Sequence, residues 1–285
     1  MIRKINLFFK EKLEKFIAEH IHQSMVPTNK KLNEIDNTLN KMSITQDILF
    51  DIIVNQNTGI QGFREPVTVP PSDFYTLQQQ KDILESNFSV AYKYWEQASQ
   101  AAEIEYSGAP DGSCSSQNNH VAVLFKYFCR QFLKGKVLDI GCGSLDIPVY
   151  LQDYPLNFIA GIDPFLPLKP HPFIFHQGFS EFIPWGDDYF DSIVIATSLD
   201  HVLSLDMALT EIKRVLKPGG TLIIWVAFVQ GALPYNPLDP ALKPVDLFHL
   251  FHFDKEWYES LLAQYFIQKH MLKIDAESFF YVYSK

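Results

Sequence analysis

From Lys136 onward, short apolar runs alternate with stretches of helical periodicity. The runs at 136–140, 158–162, 172–176, 191–197 and 221–227 have the length and composition of buried strands. Apolar positions at three–four spacing predict helices over 145–153, 203–216 and 254–265, with an amphipathic helix over 121–133 leading into the first strand. Between the third and fourth strands the helix is reduced to a short turn around Glu181. Two further strands are expected over 266–273 and 279–284. Such alternation implies a parallel sheet covered by helices on both faces, with a ligand crevice at the carboxyl ends of the strands.

The first part of the chain carries a different pattern. Ile2, Ile5, Phe9, Leu13, Phe16 and His20 form one stripe of an amphipathic helix over 1–25, with basic residues among them. That helix can rest on a membrane surface or pack on protein; Glu11, Glu14 and Glu19 dilute its positive charge and favour packing. After Pro27, Leu32, Ile35, Leu39, Met42, Gln46, Leu49 and Ile53 keep a strict 3-4 spacing. This heptad seam suits a short coiled coil between two copies, a homodimer contact over 32–53, or a helix hairpin within one. Residues 1–55 are therefore expected to form a helical extension. A segment over 55–73 rich in Gly, Pro, Asn and Thr reads as a linker. A helical stretch with Tyr92, Tyr94 and Trp95 follows, and then a turn-rich loop over 107–119.

Composition narrows the function. A chain of 285 residues buries a full core, as one large domain or a domain with an appendage. A formal charge of −9 argues against a general nucleic-acid surface, so no nucleic-acid partner is expected. Three cysteines without metal-type or disulfide-type spacing suggest a reducing, cytoplasmic setting, with peripheral membrane contact through residues 1–25 left open. No apolar run is long enough for a transmembrane helix, and the first residues lack a signal-peptide pattern.

The chemistry concentrates in VLDIGCGSLDIPVYL, residues 137–151. An apolar strand ends there in a glycine turn that lets a ligand approach the backbone. A second apolar run, Phe158–Ile162, ends in Asp163, at the spacing where nucleotide-binding α/β folds hold ribose hydroxyls with a carboxylate. Asp139-Ile140-Gly141-Cys142-Gly143 with Asp163 resembles the cofactor-binding core of class I S-adenosylmethionine-dependent methyltransferases, of the type 11 kind. QGFSEFIPWGDDYFD over 177–191, SIVIATSLDHV over 192–202 and RVLKPGGTLII over 214–224 resemble later motifs of that family in the right order. A dinucleotide dehydrogenase would want a third glycine where Asp146 stands.

The resemblance implies a Rossmann-like class I methyltransferase fold over 120–285. It has a mostly parallel seven-stranded sheet with the last strand antiparallel, and residues 56–119 supply the linker and a helical lid. It also implies S-adenosyl-L-methionine as cofactor. Asp139 would meet its ammonium group, and Gly141, Cys142 and Gly143 would form the turn beneath the amino-acid end and ribose. Asp163 would accept from the ribose diol, and Ile162 and Pro164 would line the adenine. Gly178, Phe179 and Ser180 would edge the ring. Phe179 stands where many relatives have an Asp, so ring stacking, Ser180 or a backbone carbonyl would replace that contact. Thr197 and Ser198 would pass the methionine portion.

Asp200-His201 stands where many relatives have Glu-His. His201 is the expected general base, with Asp200 orienting it or acting in its place; a structural role in the turn is the competing reading. The insertion over 227–252 is expected to shape the acceptor pocket. His249 and His252 with Asp254 lack a convincing third ligand, so no metal is expected, and Asp254 reads as a helix N-cap. The function expected is methyl transfer to a small-molecule or sugar acceptor, including polysaccharide, and at oxygen. The alternative is a non-catalytic scaffold or regulatory subunit that keeps the fold and assembles through its N-terminal helices.

Overall fold

The computed structural model describes residues 65–285 apart from 73 and 109–112. The helices expected over 1–25 and 32–53 lie outside the described residues. From residue 65 on, apart from 274–276, the chain forms one compact unit.

The strands are β1 (Val137–Ile140), β2 (Ile159–Asp163), β3 (Ile174–Gln177), β4 (Phe190–Ala196), β5 (Leu216–Ala227), β6 (Ile267–Lys273) and β7 (Ser278–Ser284). They form one sheet in the order β3-β2-β1-β4-β5-β7-β6. The first five run parallel. β7 lies between β5 and β6, antiparallel to both. This is the Rossmann-like methyltransferase architecture that the sequence led us to expect. β1 and β2 are buried along their whole lengths. That is why they read as apolar runs rather than as alternating strands.

The helices are α1 (Leu77–Asn87), α2 (Ser89–Gly108), α3 (His120–Arg130), α4 (Leu205–Val215) and α5 (Lys255–Leu262). Their starts follow from short polar side chains. Asn119 accepts from the backbone N–H of Val121 and Ala122, Ser204 from Met207, and Asp254 from Glu256. Thr76 and Gln79 form a reciprocal capping box at α1. α1 and α2 belong to the same compact unit as the sheet: Leu84, Ala91, Tyr92 and Trp95 join its core.

One expectation fails. The helix predicted over 145–153 is only a 3-10 turn, Val149–Leu151. Pro148 disfavours helical backbone at Ile147 and has no N–H to give, and the Asp146 carboxylate binds the Ile147 N–H locally. The glycine turn therefore leads into a loop rather than into a helix. The fourth strand stops at Ala196, one residue early, because Thr197 turns to φ +54°.

Candidate functional site

The carboxyl ends of β1, β2 and β4 open into a cavity of about 270 Å³. Its lining includes Gly141 and Gly143 after β1, Asp163 and Pro164 at the end of β2, Phe179 and Ser180 beyond β3, and Thr197, Ser198 and His201 after β4. Ile162 and Gly178 line it too. Residues far apart in the chain thus meet because parallel strands end on one edge of the sheet.

The floor is tightly specified. Gly141 has φ +73°, and a Cβ there would stand 2.3 Å from that of Ser198. Ser198 uses this closeness to donate its hydroxyl to the Ile140 carbonyl at 2.6 Å. Gly143 also has positive φ, and its N–H donates to Asp163 Oδ2 at 3.0 Å. Asp163 Oδ1 accepts from Phe165 N–H at 2.9 Å. Each carboxylate oxygen keeps a free lone pair for a ligand hydroxyl. Burial raises the Asp163 pKa to about 6 against those two hydrogen bonds.

Three of the expected site residues do not line the cavity. Asp139 is fully buried beneath the floor, where both of its oxygens accept from the Tyr150 hydroxyl at 3.1–3.2 Å. Burial raises its pKa to about 8. Cys142 is buried away from the cavity, its sulfur 3.6 Å from His171 Nε2. Asp200 also lies behind the wall, next to His201 and His249.

The opposite case is instructive, because several lining residues carry no motif. Phe179 and Trp95 pack with ring centroids 5.0 Å apart, and Trp95 stacks on Phe165 at 6.4 Å. These rings make an aromatic wall suited to a flat heterocycle. Of the three aromatics expected in the lid, Trp95 alone lines the cavity among the described residues; Tyr92 supports it at 5.7 Å. Gln80 is fully buried and accepts from the Phe179 N–H at 2.9 Å, fixing the loop after β3 to α1. Ser113, Cys114 and Ser115 bring the pre-core loop onto the cavity, and the Cys114 thiol pairs with the Thr197 hydroxyl. Such tertiary pairings leave no local pattern in the sequence.

Glu181 is buried and holds the turn that carries His201. Its Oε1 accepts from Leu203 N–H at 2.8 Å and Ser204 N–H at 3.0 Å, and its Oε2 from the Ser180 hydroxyl. The His201 ring stacks on His249 at 4.6 Å and hydrogen-bonds to the Phe248 backbone. Burial lowers the His201 pKa, with Asp200 pulling the other way. His249 and His252 come from the insertion after β5, and both bind Asp246. Asp254, grouped with them by sequence, instead caps α5.

The residues at the cavity fit S-adenosylmethionine. Gly141 and Gly143 line the cavity without side chains, and a Cβ at Gly141 would collide with Ser198; Asp163 faces the cavity, and aromatic rings form a wall.

Residues 138–224 match the methyltransferase domain family. Demethylmenaquinone methyltransferase of Chlorobaculum parvum is 29% identical over 109 residues, covering 36% of this chain and 44% of that enzyme. An uncharacterized methyltransferase of Bacillus subtilis, YodH, is 31% identical over 147 residues, 47% of this chain and 60% of that protein. The chain thus spans less than two thirds of the length of either relative. Among solved structures, 1,6-didemethyltoxoflavin-N1-methyltransferase of Burkholderia thailandensis, with 1,6-didemethyltoxoflavin and S-adenosylhomocysteine bound, aligns with a TM-score of 0.49. That alignment has 15% identity and covers 77% of this chain and 93% of the other. Residues 138–224 thus carry a methyltransferase domain, and it is there that the chain is similar to S-adenosylmethionine-dependent methyltransferases.

Proposed function

We propose that the protein transfers a methyl group from S-adenosylmethionine to a hydroxyl of a small-molecule or sugar acceptor. The observation that carries this reading is the single cavity that joins the glycine turn and Asp163 to His201. Bound there, S-adenosylmethionine supplies a methyl group on a sulfonium, a donor already reactive enough that positioning the acceptor is most of the task. Asp163 takes the ribose diol, the Gly141–Gly143 turn lets the backbone approach, and Phe179 with Trp95 holds the adenine. Asp139 acts from below by holding the floor through its bonds to the Tyr150 hydroxyl rather than by direct contact with the cofactor. Cys142 serves as a small packing residue.

At the acceptor end stand His201 and, behind it, Asp200, and we assign to them the activation of the acceptor oxygen. The acidic surface, with a net charge of −9, disfavours a nucleic-acid acceptor. The intact floor and the ordered His201 turn disfavour the reading as a scaffold without activity. Several relatives are named C-methyltransferases, so the atom methylated is read from the product.

Calorimetry with S-adenosylmethionine, followed by transfer of labelled methyl to sugars and phenols, tests the proposal. His201→Ala and Asp200→Asn should each lower turnover by about 10²–10⁴-fold. Cofactor affinity should change by less than about twofold, because neither residue is assigned to the cofactor. Carbon–methyl product would overturn the oxygen assignment, and failure to bind cofactor would overturn the reading as a whole.

A further inference from the structure

Five titratable side chains converge beside the cavity: Asp200, His201, Asp246, His249 and His252. Ligand atoms of Asp200, His201 and His249 lie within 4.8 Å of one another, and so do those of Asp246, His249 and His252. The two triads share His249. They come from separate segments, the turn after β4 and the insertion after β5, and only the fold joins them.

The two triads differ in how far their polar atoms are satisfied. Asp246 is fully engaged. It accepts from the N–H of Phe248 and of His249, and it contacts His249 Nδ1 at 2.9 Å and His252 Nε2 at 3.1 Å. Asp200 is not: its Oδ1 is buried and has no hydrogen-bond partner. Leaving a buried carboxylate oxygen unpaired is costly, so the position calls for a partner. His201 Nε2 lies 3.9 Å from Oδ1, and His249 Nε2 lies 3.9 Å from Oδ2. Both are too far for a hydrogen bond. Both suit ligands around an ion: tetrahedral donors at about 2.0–2.1 Å from a metal stand roughly 3.4 Å apart. Closing 3.9 Å to that spacing takes only small side-chain rotations.

The orientation of His249 supports the same arrangement. An imidazole that donates from Nδ1 to a carboxylate presents its lone pair at Nε2, and metal-ligating histidines are usually held this way. Asp246 does this to His249 from one side while Nε2 faces Asp200 on the other.

We propose that Asp200, His201 and His249 hold one divalent transition-metal ion at the wall of the cavity, with Asp246 orienting His249. Two imidazoles and one carboxylate suit Zn²⁺ and its neighbours in the first transition row, and suit Mg²⁺ or Ca²⁺ poorly, since those prefer oxygen ligands. Three protein ligands leave coordination positions open. His201 lines the cavity, so an acceptor oxygen can reach them there. An ion at that place lowers the pKa of a bound hydroxyl, which a methyl acceptor at oxygen requires. This use rests on the methyltransferase reading above; the ion site itself rests on the residues alone. The two-histidine, one-carboxylate set was hidden from the sequence because α4 and β5 separate Asp200 and His201 from the insertion that carries His249.

The test uses the full chain, stripped with a chelator and titrated with Zn²⁺ by calorimetry and with Co²⁺ by visible absorption. Wild type should take up one ion per chain, with the absorption bands of Co²⁺ bound to nitrogen. Asp200→Asn and His249→Ala should each weaken uptake at least about 100-fold, and His201→Ala should weaken it comparably. Asp246→Asn should cost about 10–100-fold as an orienting partner. His252→Ala should leave uptake within a few fold. No uptake by wild type would overturn the proposal. So would loss of uptake in His252→Ala with retention in His201→Ala, since the ion would then belong to the outer triad. S-adenosylhomocysteine affinity measured on the same samples shows that the variants are folded. It also separates the two readings: cofactor binding without metal uptake sinks only the ion site, and metal uptake without cofactor binding sinks only the methyltransferase assignment.

Discussion

Asp163 shows how one side chain ties fold to ligand. Its carboxylate holds Gly143 and Phe165 through their N–H groups while facing the cavity. Its pKa of about 6 in the free protein means that near pH 5 it is mostly protonated. The ribose diol and the cofactor's cations favour the ionised form, so below about pH 6 binding must first expel a proton. Affinity for S-adenosylmethionine should therefore fall as pH drops through 6, approaching tenfold per unit. Asp163→Asn should bind more weakly by about 1.5–3 kcal/mol near neutral pH, with a much flatter profile. Calorimetry between pH 5 and 8 checks both; a variant with native affinity would remove Asp163 from the ribose site. Stability of the free protein follows the opposite sign. The raised pKa means that the folded state holds its proton more tightly than the unfolded chain. The contribution of Asp163 is fully present below about pH 4 and is lost as pH rises through 6; that of Asp139 is lost only as pH rises through about 8.

Elements were legible where burial is two-sided and the chain has no competing local option. β1 and β2 are continuous apolar runs because no face of theirs meets water. α4 and α5 announce themselves by Ser204 and Asp254. The failure at 145–153 has an equally local cause: apolar spacing there is helical, yet the Ile147–Pro148 step rules out a continuous helix. Gln80 was illegible for a different reason, since its partner Phe179 lies in a loop beyond β3 and no spacing rule connects them. Glu181 lies between these cases. The sequence marked a turn there but not its purpose, which is to satisfy the first amides of the segment entering α4. Glu181→Ala would leave two buried N–H groups without acceptors, at about 1–3 kcal/mol each before relaxation. Urea unfolding should show a loss of roughly 2–4 kcal/mol. Glu181→Gln keeps one acceptor oxygen and should retain most of the stability. Equal loss in both variants would mean that the charge of Glu181, not its geometry, supports the turn.

At the scale of the molecule, the division of labour follows the change of pattern along the sequence. The sheet, the helices α1 and α2, and the lining residues named above all lie beyond residue 65. Among the described residues no helix is long and apolar enough to cross a membrane. The heptad seam over 32–53 lies outside the described residues. Its apolar positions at 3-4 spacing need a partner surface, and a second copy of the same seam is the self-complementary one. Three heptads make a weak pair alone, but joining two large domains through them does not alter the contacts within each domain. Deleting residues 1–55 should therefore convert a dimer into a monomer while S-adenosylmethionine affinity stays within about twofold. Sedimentation equilibrium at micromolar concentration and calorimetry on the same preparations check the two halves separately. A full-length chain that sediments as a monomer would end the pairing of seams. A truncated monomer that binds cofactor poorly would show instead that the first 55 residues complete the site.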